Sequence, residues 1–389
     1  MTTAPPPVTW DLPRLCAPPA VFPAPGFSAP EVRALFYEGA PYRGRPTRVF
    51  AWLGVPALPP GESCPAMVLL HGGGGTAFDE WVRRWNRRGY AAIAMDLCGC
   101  VPAQPVVRDG GPHARHEHGG PAGWSASFDQ AADPIEDQWI YHAVAAGLAG
   151  HSLLAAQPGV DAERIGVTGI SWGGYLTSIV AGVDPRLRGA APVYGCGFIG
   201  EDSYMKDQDF PARPAADVRR WLELWDPAHY LGRAALPMCW VSGTNDFAFP
   251  LSALKRSYQL PAGPRTLCLR IEMPHSHVDG WAPAEIGVFM DSLLLGGAPL
   301  PRLHDHGTDG RAVWARCDAP LPITHAELCC TRALGHWADR KWQSYPAQYD
   351  ADAGCLTATL PPRATVWFLN VYDERGCVAS TPHAEIGNA

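Results

Sequence analysis

The sequence lacks the features that mark several large classes of protein. Only 18% of its 389 residues are charged and the formal net charge is −7, so it gives no electrostatic reason to expect a nucleic-acid or anionic-membrane partner. It has no run of about 18 apolar residues, the length a transmembrane helix needs. The N-terminus, MTTAPPP, has neither the basic start nor the apolar stretch of a secretory signal.

Cysteine is too sparse for a disulfide scaffold, since the 12 cysteines are far below the 8–10% of small secreted proteins. No C-x-x-C pair occurs, which argues against a zinc or redox motif of that type. Several cysteines lie within apolar runs, among them Cys239, Cys268, Cys329 and Cys330. They are therefore predicted to be buried free thiols, and such thiols suit the reducing cytoplasm.

The order of apolar segments predicts three regions. Residues 1–44 are rich in proline and are expected to form an extended arm on the body, with a disordered tail as the alternative. Over 45–297, short apolar runs alternate with helical patterns, which predicts an α/β fold with a mostly parallel sheet covered by helices on both faces. One of these helices is expected to begin at Asp133-Pro134, with Asp133 as its cap. Over 298–389, short strands without intervening helices predict a small all-β domain.

The segment with the clearest chemistry is Gly169-Ile170-Ser171-Trp172-Gly173-Gly174, the one G-x-S-x-G in the chain. An apolar strand precedes it and a helical pattern follows it, which is the context of a nucleophile elbow. On such a sharp turn the serine hydroxyl is exposed above the carboxyl ends of the strands. Ser171 is therefore the predicted nucleophile; a glycine-rich turn with an incidental serine is the alternative.

A second glycine-rich segment, His71 to Gly75, follows another predicted strand. Backbone N–H groups in such a loop can stabilise the negative charge that develops on a carbonyl oxygen during acyl transfer. The predicted oxyanion-hole donors are the N–H groups of Trp172 and Gly73, with Gly74 next. A phosphate-binding loop fits poorly, because the segment has neither a Gly-Lys-Ser/Thr ending nor a G-x-G-x-x-G pattern.

A serine nucleophile needs a base, and the base needs an acid that orients it. Asp246 directly follows a predicted strand and is the predicted acid, although Asn-Asp also suits a plain turn. The histidine lies in the loop Met273–Trp281, where His275 and His277 compete. His277 is the preferred base because a few loop residues are needed to reach back over the serine; His275 would then line the site.

With these motifs the chain resembles the α/β-hydrolase superfamily, in particular its acetyl xylan esterase, dienelactone hydrolase and prolyl-oligopeptidase-like branches. The resemblance spans about residues 45–296 and implies that Ser171, Asp246 and His277 act as nucleophile, acid and base. Two positions depart from those branches. Trp172 stands where acetyl xylan esterases usually have glutamine, and Ser171 stands where dienelactone hydrolases usually have cysteine.

The expected function is therefore a serine esterase that acts on small acyl esters, with acetyl esters and acetylated carbohydrates as the first candidates. No metal or organic cofactor is expected. The alternatives are a prolyl-oligopeptidase-like serine peptidase and a non-catalytic hydrolase-like binding protein. The partner is expected to be a small-molecule ester rather than nucleic acid or membrane, and the sequence does not indicate an oligomeric state.

Two further groups of residues could carry function. A cluster of His113, His116, Glu117 and His118 matches no zinc-helix spacing and is expected to lie in a solvated or pocket-rim loop. Four of the fifteen tryptophans lie in segments that could cover the site, and each alone is expected to be core or cover rather than a substrate platform. They are Trp124, Trp139, Trp221 and Trp225.

Overall fold

A nine-stranded sheet forms the centre of the computed structural model, which describes residues 6–103 and 113–386. The strands of this part of the chain are β1 (Val21–Pro23), β2 (Arg33–Glu38), β3 (Arg48–Gly54), β4 (Cys64–Leu70), β5 (Ala91–Met95), β6 (Cys100–Val101), β7 (Ala114–Arg115), β8 (Val160–Ile170), β9 (Gly189–Val193), β10 (Met238–Gly243) and β11 (Arg265–Arg270). The central sheet has the order β1-β2-β3-β5-β4-β8-β9-β10-β11, and β6 pairs with β7 outside it.

The six strands from β5 to β11 in that order run parallel, while β1, β2 and β3 are antiparallel. The carboxyl ends of β4, β8, β9, β10 and β11 therefore lie along one edge. Ligand and catalytic groups of open parallel sheets gather at this edge. The predicted α/β fold with a mostly parallel sheet is confirmed.

Helices cover both faces of the sheet because each has an apolar side, or is apolar all round. The helices are α1 (Leu12–Leu15), α2 (Asp79–Arg87), α3 (Trp139–Ala155), α4 (Trp172–Val183), α5 (Ala215–Trp225), α6 (Ala228–Leu231), α7 (Leu251–Tyr258), α8 (His277–Trp281) and α9 (Ala284–Leu294). Residues of α3 and α4 share one apolar core, whereas α2 and α9 pack into a second core on the other face. In α2 the buried residues Trp81, Val82 and Trp85 form a single stripe, as expected for a surface helix.

The start of α3 differs from the prediction. A short 3-10 turn occupies Ile135–Asp137, and the α-helix begins at Trp139 after Gln138, whose backbone is extended. The side-chain oxygen of Gln130 accepts the N–H of Trp139 at 2.7 Å. The predicted cap at Asp133 was wrong, because a residue outside the local pattern satisfies the first N–H group of the helix.

The N-terminal segment is more closely joined to the body than a separate arm. Strands β1 and β2 extend the central sheet from its β3 edge. Before them, Val8, Trp10 and Leu15 are buried in the core, and the indole N–H of Trp10 donates to the Tyr141 carbonyl at 3.0 Å. The boundary expected at residue 44 therefore does not follow the edge of the sheet.

The C-terminal part forms two antiparallel sheets. Its strands are β12 (Arg302–Asp309), β13 (Ala312–Asp318), β14 (Ile323–Thr331), β15 (Trp342–Pro346), β16 (Gln348–Asp350), β17 (Cys355–Thr359), β18 (Val366–Asp373), β19 (Val378–Ser380) and β20 (Ala384–Glu385). One sheet has the order β12-β13-β17-β16 and the other β15-β14-β18-β19, with β20 also paired to β18. Apolar side chains of both sheets form a core of their own, which confirms the predicted small β domain.

The β domain is hydrogen-bonded to the last strand of the central sheet. The N–H of Leu269 in β11 donates to the hydroxyl of Ser380 at 2.8 Å, and the amide of Asn370 donates to the Leu269 carbonyl at 3.1 Å. Because Asn370 and Ser380 are themselves buried, these contacts join the two domains through their interiors.

Within the described ranges, no helix is long and apolar enough to cross a membrane.

Candidate active site

Ser171 lies on a sharp turn between β8 and α4. Its backbone has φ +58° and ψ −118°, a conformation that is costly for a residue with a side chain. The turn is held by the N–H of Ser171, which donates to the Val193 carbonyl at 2.9 Å, and by the Ser171 carbonyl, which accepts the N–H of Tyr175 at 2.9 Å. Strain at this position is the expected geometry of a nucleophile elbow.

The glycines around Ser171 are required by close packing of the backbone. A Cβ on Gly173 would overlap the Leu70 carbonyl oxygen at the end of β4, and one on Gly169 would overlap the Gly173 carbonyl oxygen. Strands β4 and β8 and helix α4 therefore meet with no room for side chains at these points. The G-x-S-x-G pattern is thus a packing requirement of the turn as well as a motif.

The structure brings the two predicted oxyanion-hole residues together. Trp172 is the first residue of α4, and a Cβ placed on Gly73 would lie 3.2 Å from Cδ1 of its indole ring. Gly73 itself is exposed, whereas Gly72 and Gly75 beside it are buried. A short turn, in which the N–H of Gly75 donates to the Gly72 carbonyl at 3.1 Å, shapes the loop. The site thus has an exposed backbone segment beside the start of the helix that follows Ser171.

The ring of His71 holds this loop through contacts with backbone groups. Its Nδ1 lies 3.0 Å from the Gly72 carbonyl, and its Nε2 accepts the N–H of Leu97 at 3.0 Å. Burial lowers the pKa of His71 from 6.5 to about 3, so the ring is neutral at physiological pH. Since Nε2 is an acceptor, the proton is on Nδ1, where it can donate to the Gly72 carbonyl.

The buried carboxyl group of Asp96 lies beside His71. One of its oxygens accepts the N–H groups of Cys98 and Cys100 at 2.8 and 2.7 Å. The other oxygen, 3.9 Å from Nε2 of His71, has no hydrogen-bond partner within the described part of the chain. Burial raises the pKa of Asp96 from 3.8 to about 6, against the effect of the two N–H groups. The neutral His71 and this carboxyl therefore do not form an ion pair.

Asp246 follows β10, as predicted, and its carboxylate is held in a tight turn. One oxygen accepts the N–H groups of Ala248 and Phe249 at 2.9 and 2.7 Å. The other is 2.7 Å from Nδ1 of His275. The carboxylate is buried, so this histidine contact is made away from bulk water.

His275 contacts Asp246, whereas the sequence-based choice of base was His277. His275 lies in the loop directly after β11, opposite the Asp246 turn, and its ring stacks on Tyr194 with centroids 4.4 Å apart. With its Nδ1 proton donated to Asp246, the Nε2 of His275 is left as the proton acceptor.

His277 occupies the other end of the site. It is the first residue of α8, and its Nε2 accepts the N–H of Gly72 at 3.0 Å. A Cβ on Gly72 would lie 2.9 Å from Cβ of Ser171 and 3.2 Å from Nε2 of His277, so the nucleophile turn, the oxyanion loop and this histidine converge. The two histidines thus take different positions: His275 contacts Asp246, and His277 lies beside the turn at Ser171.

A residue that the sequence does not single out connects the Asp246 turn to the β domain. The amide of Asn245 donates to the carbonyls of Ala338 and Arg340 at 2.8 and 2.6 Å. Its own oxygen accepts the hydroxyl of Thr244 at 2.8 Å, which fixes the orientation of the amide. Because its partners lie more than 90 residues away along the chain, no local pattern could have indicated this contact.

The remaining predicted groups take different positions. The ring of His113 meets the Gly74 carbonyl at 3.2 Å, at the edge of the oxyanion loop. Of the four tryptophans, Trp139, Trp221 and Trp225 are fully buried in the core, and Trp124 contacts Trp172 with ring centroids 6.4 Å apart. Trp124, Trp139 and Trp221 pack around the Trp172 ring, whereas Trp225 packs on Trp10.

Comparison with known proteins identifies the family of the chain. The model of the acetyl xylan esterase (AXE1) family matches residues 26–236, which is more than half of the chain. A comparison with curated proteins finds none that matches.

Solved structures show the same fold. The acetyl xylan esterase from Paenibacillus sp. R4 has a TM-score of 0.56 at 21% identity, over 73% of this chain and 92% of its own. Acetyl xylan esterase 1 from Thermoanaerobacterium sp. JW/SL YS485 has a TM-score of 0.53 at 18% identity, over 76% and 96%. A puromycin-hydrolyzing peptidase of Mycobacterium tuberculosis has a TM-score of 0.50 at 20% identity, over 70% and 41%. At these identities the likeness concerns the fold alone.

Proposed function

Because the chain belongs to the acetyl xylan esterase family, we propose that it is a serine esterase that hydrolyses small acyl esters, acetyl esters first among them. The observation that carries the proposal is the strained turn at Ser171 beside the exposed backbone of Gly73. An acyl-transfer enzyme needs a nucleophile and preorganised N–H donors within one site, and these two features supply candidates for both. Acetylated carbohydrates are the substrates that the name of the family suggests.

The proposed reaction has two steps. Ser171 attacks the ester carbonyl while a histidine takes its proton, and the N–H groups of Trp172 and Gly73 stabilise the oxyanion. The protonated histidine then gives its proton to the leaving alcohol, which leaves an acyl group on Ser171. Water activated by the same histidine releases the acid in the second step. Apart from the substrate and water, this route uses only side-chain and backbone groups of this chain.

We assign the base role to His275 and the orienting role to Asp246. The assignment rests on the 2.7 Å contact between them, which leaves Nε2 of His275 as the proton acceptor. A second observation favours the sequence-based choice, His277, because its Nε2 and the Cβ of Ser171 would both lie within 3.2 Å of a Cβ on Gly72. If His275 is the base, His277 is a positioning residue that holds the N–H of Gly72.

The direct test of the function is Ser171→Ala, assayed with a short-chain aryl acetate and with an aminoacyl amide. We expect the wild-type protein to hydrolyse the acetate in preference to the amide and the variant to lose at least about 10⁴-fold in kcat, as for other serine nucleophiles. A fluorophosphonate probe should label Ser171 in the wild-type protein only. Undiminished turnover in Ser171→Ala would refute the proposal, and a preference for the amide would favour the peptidase alternative.

The two histidines are tested by His275→Ala and His277→Ala in the same assay. If His275 is the base, His275→Ala loses at least about 10³-fold in kcat, because the serine loses its proton acceptor. His277→Ala then loses about 10- to 100-fold, because the oxyanion loop loses one hydrogen bond. The reverse order of losses would assign the base role to His277.

We also propose that the protein works in a reducing compartment such as the cytoplasm. All twelve cysteines are free, and nine of them are buried. Such thiols are typical of cytoplasmic proteins. Subcellular fractionation of the source cells tests this proposal, and recovery from the extracellular medium would contradict it.

A further inference from the structure

We propose that Phe247 and Tyr204 form a specificity subsite that binds a six-membered ring in the alcohol part of the ester. The proposal rests on the proposed esterase function and names where its substrate would be held. It is carried by the position of these two exposed aromatic rings beside His275. We call this pair the aromatic ledge.

The ledge exposes aromatic surface where the fold does not require it. The side chains of Phe247 and Tyr204 are 53% and 45% exposed, in a chain whose other aromatic rings are mostly in the cores. Their ring centroids are 5.8 Å apart, and the planes of the two rings are nearly perpendicular. Exposed apolar surface of this kind, next to a candidate site, is a common mark of a binding surface.

The Asp246 turn sets the direction of Phe247. Because the Asp246 carboxylate accepts the N–H groups of Ala248 and Phe249, the backbone wraps around it and Phe247 lies at the outside of the turn. The N–H of Tyr204 donates to the Ala248 carbonyl at 3.3 Å, which ties the second ring to the same turn. The ledge is therefore fixed to the element that orients His275.

Contact with His275 places the ledge on the alcohol side of the site. The ring of Phe247 is 4.9 Å from the ring of His275, centroid to centroid. In the proposed reaction this histidine protonates the leaving alcohol, so that group must lie against His275. A ring attached to the alcohol oxygen can then reach the ledge, whereas the carbonyl oxygen faces the N–H groups of Gly73 and Trp172.

The ligand that fits is a ring with a flat apolar face. An aromatic ring can pack edge-to-face or offset on Phe247, and a pyranose ring can present its C–H groups to the same surface. A small alkyl alcohol such as ethanol is too short to cover either ring of the ledge. Phenyl and pyranose esters share the relevant shape, and the experiment separates them.

The test compares kcat/KM for three acetates: ethyl acetate, phenyl acetate and a pyranose monoacetate. The variants are Phe247→Ala, Tyr204→Ala and Phe247→Trp, with Leu295→Ala as the control because Leu295, at the end of α9, is 50% exposed. Each ring-bearing acetate is expressed relative to ethyl acetate within the same variant. A general loss of activity cancels within that ratio, and the leaving-group chemistry cancels when the ratio of a variant is compared with that of the wild type.

We expect Phe247→Ala to lower the ratio for ring-bearing acetates by about three- to tenfold, mainly through a higher KM, because an aromatic contact is lost. Tyr204→Ala should give a smaller decrease, Phe247→Trp should retain the ratio, and Leu295→Ala should match the wild type. A decrease for only one ring-bearing acetate identifies the kind of ring. Thermal melting checks that each variant is folded. If Phe247→Ala does not fold, Phe247→Leu is used in its place.

Equal losses on all three acetates would overturn the proposal, since Phe247 would then act through His275 alone. An unchanged ratio in an active variant would overturn it as well. Failure of the esterase function gives a different result, because the wild-type protein would then hydrolyse none of the three acetates.

Discussion

The two sides of the candidate site are built in different ways. On the nucleophile side, the turn at Ser171 is held by backbone contacts, so close that a Cβ on Gly173 would overlap a carbonyl oxygen. On the acid side, Asp246 and His275 are held by side-chain hydrogen bonds, and Asn245 extends these to the β domain. One side is rigid through close packing, whereas the other depends on polar contacts between distant parts of the chain.

This difference predicts how each side tolerates change. Close-packed backbone cannot accommodate even one added carbon without moving a strand or a helix. A side-chain hydrogen bond can be lost at a cost of about 1 kcal/mol, with more if a buried group is left unpaired. Substitutions on the nucleophile side should therefore lower both stability and activity strongly, whereas those on the acid side should cost less of each.

The largest effect is expected for Gly173→Ala. The added methyl group would overlap the Leu70 carbonyl oxygen, so β4, β8 or α4 must move. We expect a loss of at least about 3 kcal/mol in the free energy of unfolding, together with loss of most esterase activity. Chemical denaturation and the acetate assay measure the two effects.

Gly147→Ala is the matched control for that substitution. Gly147 is also a buried helical glycine, but its added methyl group would lie 3.6 Å from the Leu70 side chain, an ordinary contact. We expect a gain of about 0.5–1 kcal/mol, because alanine restricts the unfolded chain more than glycine does. Equal stability changes in the two variants would show that backbone packing at Gly173 is not special.

The next largest effect on stability is expected for Asp96, whose buried carboxyl group lies beside His71. Burial raises its pKa from 3.8 to about 6, so the folded chain keeps this proton at pH values where the unfolded chain releases it. Its contribution to stability is therefore present below about pH 4 and is lost as the pH rises through about 6. Asp96→Asn keeps the oxygen that accepts the N–H groups of Cys98 and Cys100 but has no charge.

We expect Asp96→Asn to become more stable relative to the wild type as the pH rises, with the difference growing by about 2 kcal/mol between pH 4 and pH 7. Urea denaturation of both proteins at four pH values measures this. A difference that does not change with pH would mean that the carboxyl group is not held protonated in the folded state.

The smallest of the expected stability losses is that of Asn245→Ala, on the acid side. The carbonyls of Ala338 and Arg340 lose their donor, at a cost of about 2 kcal/mol. Because the Asp246 turn is then less firmly held, kcat should fall by about tenfold with little change in KM. Asn245→Asp, of the same size, should be worse, since a carboxylate would face two carbonyl oxygens.

Those results would decide whether the β domain positions the acid. A stability loss in Asn245→Ala with unchanged kcat would mean that the contact only joins the domains. A loss as large as that of Gly173→Ala would remove the distinction between the two sides.

The same difference explains what could be predicted from the sequence. The nucleophile side is encoded by contiguous residues, because a sharp turn or a tight loop needs glycine at fixed positions near Ser171 and His71. These motifs, with the alternation of strands and helices, were enough to predict the fold and to place Trp172 beside Gly73.

The acid side could be predicted only as a set of candidates. Asp246 and both histidines were identified, but His275 and His277 are two residues apart, and the direction of each ring depends on contacts elsewhere. The ring of His275 is stacked on Tyr194, and Nε2 of His277 accepts the N–H of Gly72. Neither contact leaves a local pattern in the sequence, as is also true for Gln130 at the start of α3.

The contact between Asn245 and the β domain has a consequence for biosynthesis. During translation, Asp246 and His275 emerge from the ribosome long before Arg340, which is 95 residues after Asn245. The α/β part can begin to fold as it emerges, yet the amide of Asn245 acquires its second carbonyl only when Arg340 has been added. The newly made polypeptide therefore carries Ser171 well before the turn at Asp246 is fully anchored, and this part of the candidate site is completed late in synthesis.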